Sequence, residues 1–191
     1  MARSWRVLTY TIPPKPTRTR WHVWQDLRRA GAVLVRDGVA VMPESAQARR
    51  WAAALHQRIE AGSGVALAAK AVFDPAGERR LVELFRADRA REYEEITESC
   101  RGLSAHIQRE GEHASIGFAE IAELQADLEK LQRWLAEARG RDHLRSGLDA
   151  AATSALATCQ RQLARFADRA AREDLAAKPK RGRARARAVA R

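Results

Sequence analysis

Asp37 and Gly38 are all that separates two apolar runs, residues 32–36 and 39–42. An Asp-Gly link of this length favours positive φ and closes a type I′ hairpin. With a two-residue turn, Val35 opposes Ala40 and Val33 opposes Met42 on one face, while Leu34 and Val41 share the other. Both faces are apolar, so neither is expected to meet water. One should meet the helices of the same fold. The other should meet later helices or a second copy of the chain, a homodimer.

The flanking residues set the order of elements. Residues 5–12 are β-branched and aromatic and stop at Pro13-Pro14, which reads as a strand. Pro16-Thr17 opens a basic helix in which Trp21, Trp24, Leu27 and Arg28 recur at helical spacing, and Gly31 ends it. Past the hairpin, Ser45 caps a second helix with Trp51, Leu55 and Ile59 on its buried side. Gly62 and Gly64 end that helix, and residues 65–72 make a fourth strand. The order β-α-β-β-α-β predicts an α+β protein with a ferredoxin-like domain over residues 1–74.

Residues 75–175 read as a helical region packed on that sheet. Asp74-Pro75 opens a helix carrying Leu81, Leu84, Phe85 and Ile96, with Glu92, Glu94 and Glu95 set to be a wet face or to neutralise the basic first helix. Residues 109–117 read as a loop. Ile121, Leu124, Leu128, Leu131 and Leu135 are spaced as a heptad seam. Residues 140–147 break it, and Leu148, Ala152, Ala155, Cys159, Leu163, Phe166 and Ala170 form another stripe. Residues 118–175 therefore read as an antiparallel helical appendage. Residues 176–191 are basic and low in apolar content, and read as a disordered arm.

Charge then narrows the partner. The chain carries +11 over 191 residues. Residues 1–36 and residues 178–191 each contribute +7, which leaves the body between them at −3. A mildly acidic body with two basic ends points to a polyanion, most commonly nucleic acid. No apolar run reaches the roughly 20 residues that cross a bilayer, and residues 1–7 lack the apolar core of a signal peptide. Two cysteines, Cys100 and Cys159, fit a reduced cytoplasmic protein better than a secreted one.

An ordered set of residues resembles the N-terminal domain of ChrB, the bacterial chromate-resistance and chromate-sensing regulator family. It comprises Trp5-Arg6-Val7-Leu8-Thr9-Tyr10 with Ile12-Pro13, then Arg20, Val23-Trp24 and Leu27. Gly31-Ala32-Val33, Asp37-Gly38-Val39, Val41 and Pro43 follow. Glu92-Tyr93, Glu95-Ile96, Phe118-Ala119-Glu120, residues 127–131 and Trp134-Leu135 complete it. The resemblance implies a DNA-binding transcriptional regulator tied to chromate efflux, with chromate itself as a further partner. The first block also resembles the Cas2 nucleases and the PaaX regulators. Where the Cas2 pattern has a metal-holding Asp after the strand-end Tyr, Thr11 follows Tyr10 here. A neutral hydroxyl is a poor ligand for a divalent metal beside a carboxylate, which favours binding over phosphodiester cleavage.

The nucleic-acid contacts expected are Lys15, Arg18, Arg20, Arg28 and Arg29 around the first helix, with Lys180, Arg181, Arg183, Arg185 and Arg187 in the arm. The competing reading of the first group is a solvated helix face. Arg20 and His22 are the residues expected to touch a chromate dianion. Trp21, Trp24 and Trp51 follow helical stripes and read as core rather than as base-stacking platforms. Cys100 and Cys159 read as buried structural thiols. Glu110, Glu112 and His113 lie close together, but no cofactor, metal site or catalytic constellation is expected. The alternatives from another class are a chromate-binding or chromate-reducing accessory enzyme and a Cas2-like nuclease relic.

Overall fold

The computed structural model describes residues 3–15, 17–112 and 118–177, the last four of these in backbone only. In order the elements are β1 (Ser4–Thr11), α1 (Thr17–Ala30), β2 (Val33–Arg36), β3 (Val39–Pro43), α2 (Ala46–Ala61), β4 (Val65–Val72), α3 (Pro75–Glu110), α4 (Phe118–Arg141) and α5 (Ala150–Ala177). The protein is α+β. Its chain divides into two compact units, Met1–Glu95 with Trp134–Ala151, and Ile96–Arg133 with Ala152–Arg191.

The first unit holds the sheet. All three strand pairings are antiparallel, in the order β2-β3-β1-β4. β1 therefore lies between β3 and β4, and β3 between β1 and β2, so the two βαβ crossovers are interleaved. One face is closed by α1 and α2. Leu8, Ala40, Met42 and Ala66 from the strands meet Val23 and Leu27 of α1 and Trp51, Leu55 and Ile59 of α2. On the opposite face Trp5, Val33 and Val41 meet Leu81 and Phe85 from the first turns of α3, with Leu144 beside them. The Trp5 and Phe85 rings lie 5.6 Å apart and tilted, a favourable aromatic arrangement.

Local chemistry fixes the ends of these elements. Ser45 is extended at the N-cap of α2, and its Oγ accepts from Ala48 N at 3.0 Å. Asp74 Oδ1 accepts from Gly77 N at 2.7 Å at the start of α3, where Pro75 occupies the first helical position. Gly38 has φ +75°, and a Cβ there would stand 2.4 Å from the carbonyl oxygen of Tyr10. The same turn lets Tyr10 N donate to Gly38 O at 2.7 Å, so the hairpin tip is sewn to the end of β1.

The hairpin register departs from expectation. Arg36 pairs with Val39 across the turn, but the ladder then shifts, and Leu34 pairs with Ala40 and Val33 with Val41. The irregularity at Val35 is a bulge, which changes the face of everything behind it. Val33 thereby joins Val41 and Trp5 under α3 instead of facing Met42. The expectation that both hairpin faces are covered also fails. Leu34 and Val35 are exposed, and so are Val65 and Leu67 on the edge strand β4. The cover over the second face takes in Val7 and Val39 but leaves Val65 and Leu67 of β4 outside.

Residues 134–151 complete this unit. Glu92 accepts from Arg89 and Arg141 and from Trp134 Nε1 at 3.3 Å. His143 Nε2 donates to Ala30 O at 2.6 Å, at the C-terminus of α1. Of the two readings of this acidic run, Glu94 and Glu95 are a wet face, whereas Glu92 neutralises arginines of α3 and α4 and not the first helix.

The second unit contains the rest of α3 and α4 and nearly all of α5. Ile96, Cys100, Leu103 and Ile107 on α3, Leu124, Leu128 and Leu131 on α4, and Ala152, Leu156, Cys159, Leu163, Phe166 and Ala170 on α5 are buried. All three stripes use spacings of three and four, the helical signature. α3 continues through Glu110, so the loop expected over residues 109–117 begins later than its composition indicated. Cys159 Sγ donates to Cys100 O at 3.0 Å, and both thiols are free and buried. Burial first, and then Cys159 nearby, pushes the Cys100 thiol up to about 11. It stays protonated at neutral pH, which suits packing rather than thiolate chemistry.

Candidate nucleic-acid interface

α1 is built on one buried stripe. Val23 and Leu27 are 1% and 2% exposed, and Ala30 follows at the next turn. Everything on the other side of the helix must then face outward. Lys15, Arg18, Arg20, Arg28 and Arg29 are all exposed. Arg29 Nη1 lies 4.0 Å from Asp26, whose other oxygen is 3.0 Å from Arg58 Nε on α2. Among the described residues, Lys15, Arg18, Arg20 and Arg28 form no ion pair with a carboxylate. The first turn of α1 holds no acidic residue, although Asp or Glu there would be favoured by the helix dipole. Lys15, Arg18 and Arg20 crowd the positive end of that dipole instead. This is a locally unfavourable arrangement that an incoming anion would relieve.

Two tryptophans lie among these cations. Trp21 is 52% exposed and Trp24 46%, which corrects the expectation that both belong to the core. Trp51 of α2 does belong there, at 9%. The Arg28 guanidinium lies 5.1 Å from the Trp24 ring centroid, within cation–π range. The His22 ring meets Trp21 edge-on at 4.9 Å, and Arg18 Nε donates to His22 Nε2 at 3.3 Å. Sequence periodicity missed the outward Trp pair, and the missed signal was a second stripe. Thr17, Trp21, Trp24 and Arg28 repeat as regularly as Val23, Leu27 and Ala30.

Arg20 and His22 are two residues apart on α1 and so do not share a helix face. His22 is half-buried, with Nε2 taken by Arg18. Arg20 instead acts on Tyr10. Burial raises the Tyr10 phenol above its ordinary value and Asp37 adds to the rise, while Arg20 opposes it. Trp5 is fully buried and Tyr10 packs at the edge of the core, so neither offers a stacking face. Lys180, Arg181, Arg183, Arg185 and Arg187 lie outside the described residues, as does His113.

A model described as Protein ChrB, N-terminal, matches residues 20–176. The chain belongs to this ChrB N-terminal family. Membership makes it a chromate-resistance-related protein. No curated protein and no solved structure matches the chain. The ChrB match takes in Arg20, Arg28, Arg29 and both outward tryptophans, and starts after Lys15 and Arg18. Among the described residues, no helix is long and apolar enough to cross a membrane.

Proposed function

We propose that this ChrB-family chain is a DNA-binding regulator of chromate resistance, docking on backbone phosphates through α1 and the basic residues 178–191. The observation that carries the reading is that Lys15, Arg18, Arg20 and Arg28, on or just before α1, are exposed without carboxylate partners among the described residues. Cations left unpaired this way interact with an external polyanion at no cost in internal ion pairs. The strand order and interleaved crossovers support a ferredoxin-like platform, in which α1 is fixed against the sheet and its basic face is presented rigidly. Phosphate contacts of this kind position the protein and carry no sequence information.

Fluorescence anisotropy against salt tests this. If about five phosphates are neutralised, log affinity should fall against log salt with a slope of about −4 to −5. Removing residues 178–191 should make the slope shallower and weaken binding by a similar factor on every sequence. Absence of binding at low salt, or a flat salt response, removes the reading.

A further inference from the structure

The outward face of α1 carries more than charge. Phosphate contact by itself needs arginine and lysine, yet this face also leaves two indoles about half in water. An aromatic of this size buries roughly 150–250 Å² when it joins a core. The core contact of α1 is already supplied by Val23 and Leu27, so the two tryptophans are not used in holding the helix to its sheet. Trp21 and Trp24 are three residues apart, which makes them neighbours on the helix surface. Each is steadied from one side, Trp21 by the His22 ring and Trp24 by the Arg28 guanidinium.

We propose that Trp21 and Trp24 stack on unpaired bases of a nucleic-acid strand whose phosphates are held by Arg18 and Arg28, so that α1 prefers single-stranded or locally opened nucleic acid over closed duplex. The inference deepens the reading of α1 as a phosphate-docking helix and rests on it. The physical distinction is simple. Bases in a closed duplex are stacked on one another and present only their edges, so an indole gains nothing from them beyond groove contact. Unpaired bases present π-faces, and stacking on them tolerates any sequence because every base has one. Charge complementarity selects the occupant, since Arg28 lies against Trp24, Arg18 is bonded to the His22 that meets Trp21, and neither arginine has a carboxylate partner among the described residues. A lipid surface fits less well, because an interfacial helix needs a continuous apolar face, and the aliphatic stripe of α1 is turned into the protein.

The test compares a labelled short oligothymidylate with a mixed-sequence duplex of equal length, on the full chain at one low salt concentration. The wild-type chain should bind the single strand more tightly. Trp21→Ala with Trp24→Ala should weaken single-strand binding about ten- to hundredfold and leave duplex binding within about twofold. Trp21→Phe with Trp24→Phe should restore most of the loss, and the retained duplex binding of the alanine variant excludes a folding defect. Arg18→Ala and Arg28→Ala together should weaken both ligands. If the double alanine variant keeps its single-strand affinity, or loses both ligands equally, the stacking inference is wrong and phosphate docking stands. If no nucleic acid binds the wild-type chain at all, both readings fall together.

Discussion

α1 and α2 pack side by side on the same sheet face, and they treat the same residue types in opposite ways. On α2, Trp51 is driven into the core, and all the cations but Arg50 are matched by acids. Arg49 reaches Glu44 at 2.8 Å, Arg58 reaches Asp26 at 3.0 Å, and His56 lies 3.4 Å from Glu60. On α1, both tryptophans are outside and most cations lack such partners. Asp26, the acid on α1, is largely engaged by α2. The lesson is that a tryptophan or an arginine says little by itself. Which stripe of the helix the small and aliphatic residues occupy decides what remains outside, and that remainder is where a partner can act.

The comparison is most easily broken at the tryptophans. Trp51→Ala should destabilise the protein by about 3–5 kcal/mol, the usual cost of emptying a core site of this size, whereas Trp24→Ala should stay within about 0.5 kcal/mol. Urea unfolding of the two variants measures the gap, and equal losses would end the distinction between the helices. Trp51→Phe sharpens it further. Trp51 Nε1 makes no hydrogen bond among the described residues, so the phenyl ring should recover much of the loss.

Glu44 comes next. Its carboxylate accepts from Arg6 Nε at 2.9 Å and Nη2 at 3.0 Å, and from Arg49 Nη1 at 2.8 Å. The Arg6 hydrogen bonds hold it below the usual carboxylate range, with burial opposing and Arg49 assisting. Glu44→Gln should cost about 1.5–3 kcal/mol at neutral pH, the range for hydrogen bonds to charged groups. A carboxyl whose folded pKa is depressed adds stability above its unfolded pKa of about 4.3, and that stability is lost as pH falls through the folded value. Thermal unfolding across pH should therefore show the wild-type advantage shrinking below about pH 4. A gap that persists unchanged at low pH would show that packing rather than charge holds this site.

The smallest effect is expected at the start of α2. Ser45→Ala removes the cap on Ala48 N and should cost about 1 kcal/mol, read as a modest drop in melting temperature. α1 has no acidic residue in its first turn to lose. Adding one, as Thr17→Glu, should stabilise by about 0.3–1 kcal/mol while weakening nucleic-acid binding, because it supplies internally what a phosphate would supply from outside.

Much of the platform was legible from residue order. Asp37-Gly38 located the hairpin, Ser45 and Asp74-Pro75 located helix starts, and the spacing of Leu124, Leu128 and Leu131 located a buried stripe. The cationic face of α1 was legible too, since charge near one helix is countable. Two things were not. The bulge at Val35 depends on which side chains find cover, and Trp5 with Phe85 offered that cover to Val33 from opposite sides of a long sequence gap. The outward turn of Trp21 and Trp24 was hidden because two stripes on one helix have the same period, and period carries no information about which stripe faces in.

The sequence alone determined the order of strands and helices, the ends of several of them, and the gathering of positive charge near both termini. These depend on neighbours in the chain: caps, turn residues and local composition. Tertiary structure decided the phase of α1, the hairpin register and the capture of Glu92 and Asp26 by other elements. Each depends on competition for a shared surface, and a surface shared by residues far apart in the chain exists only after they have met.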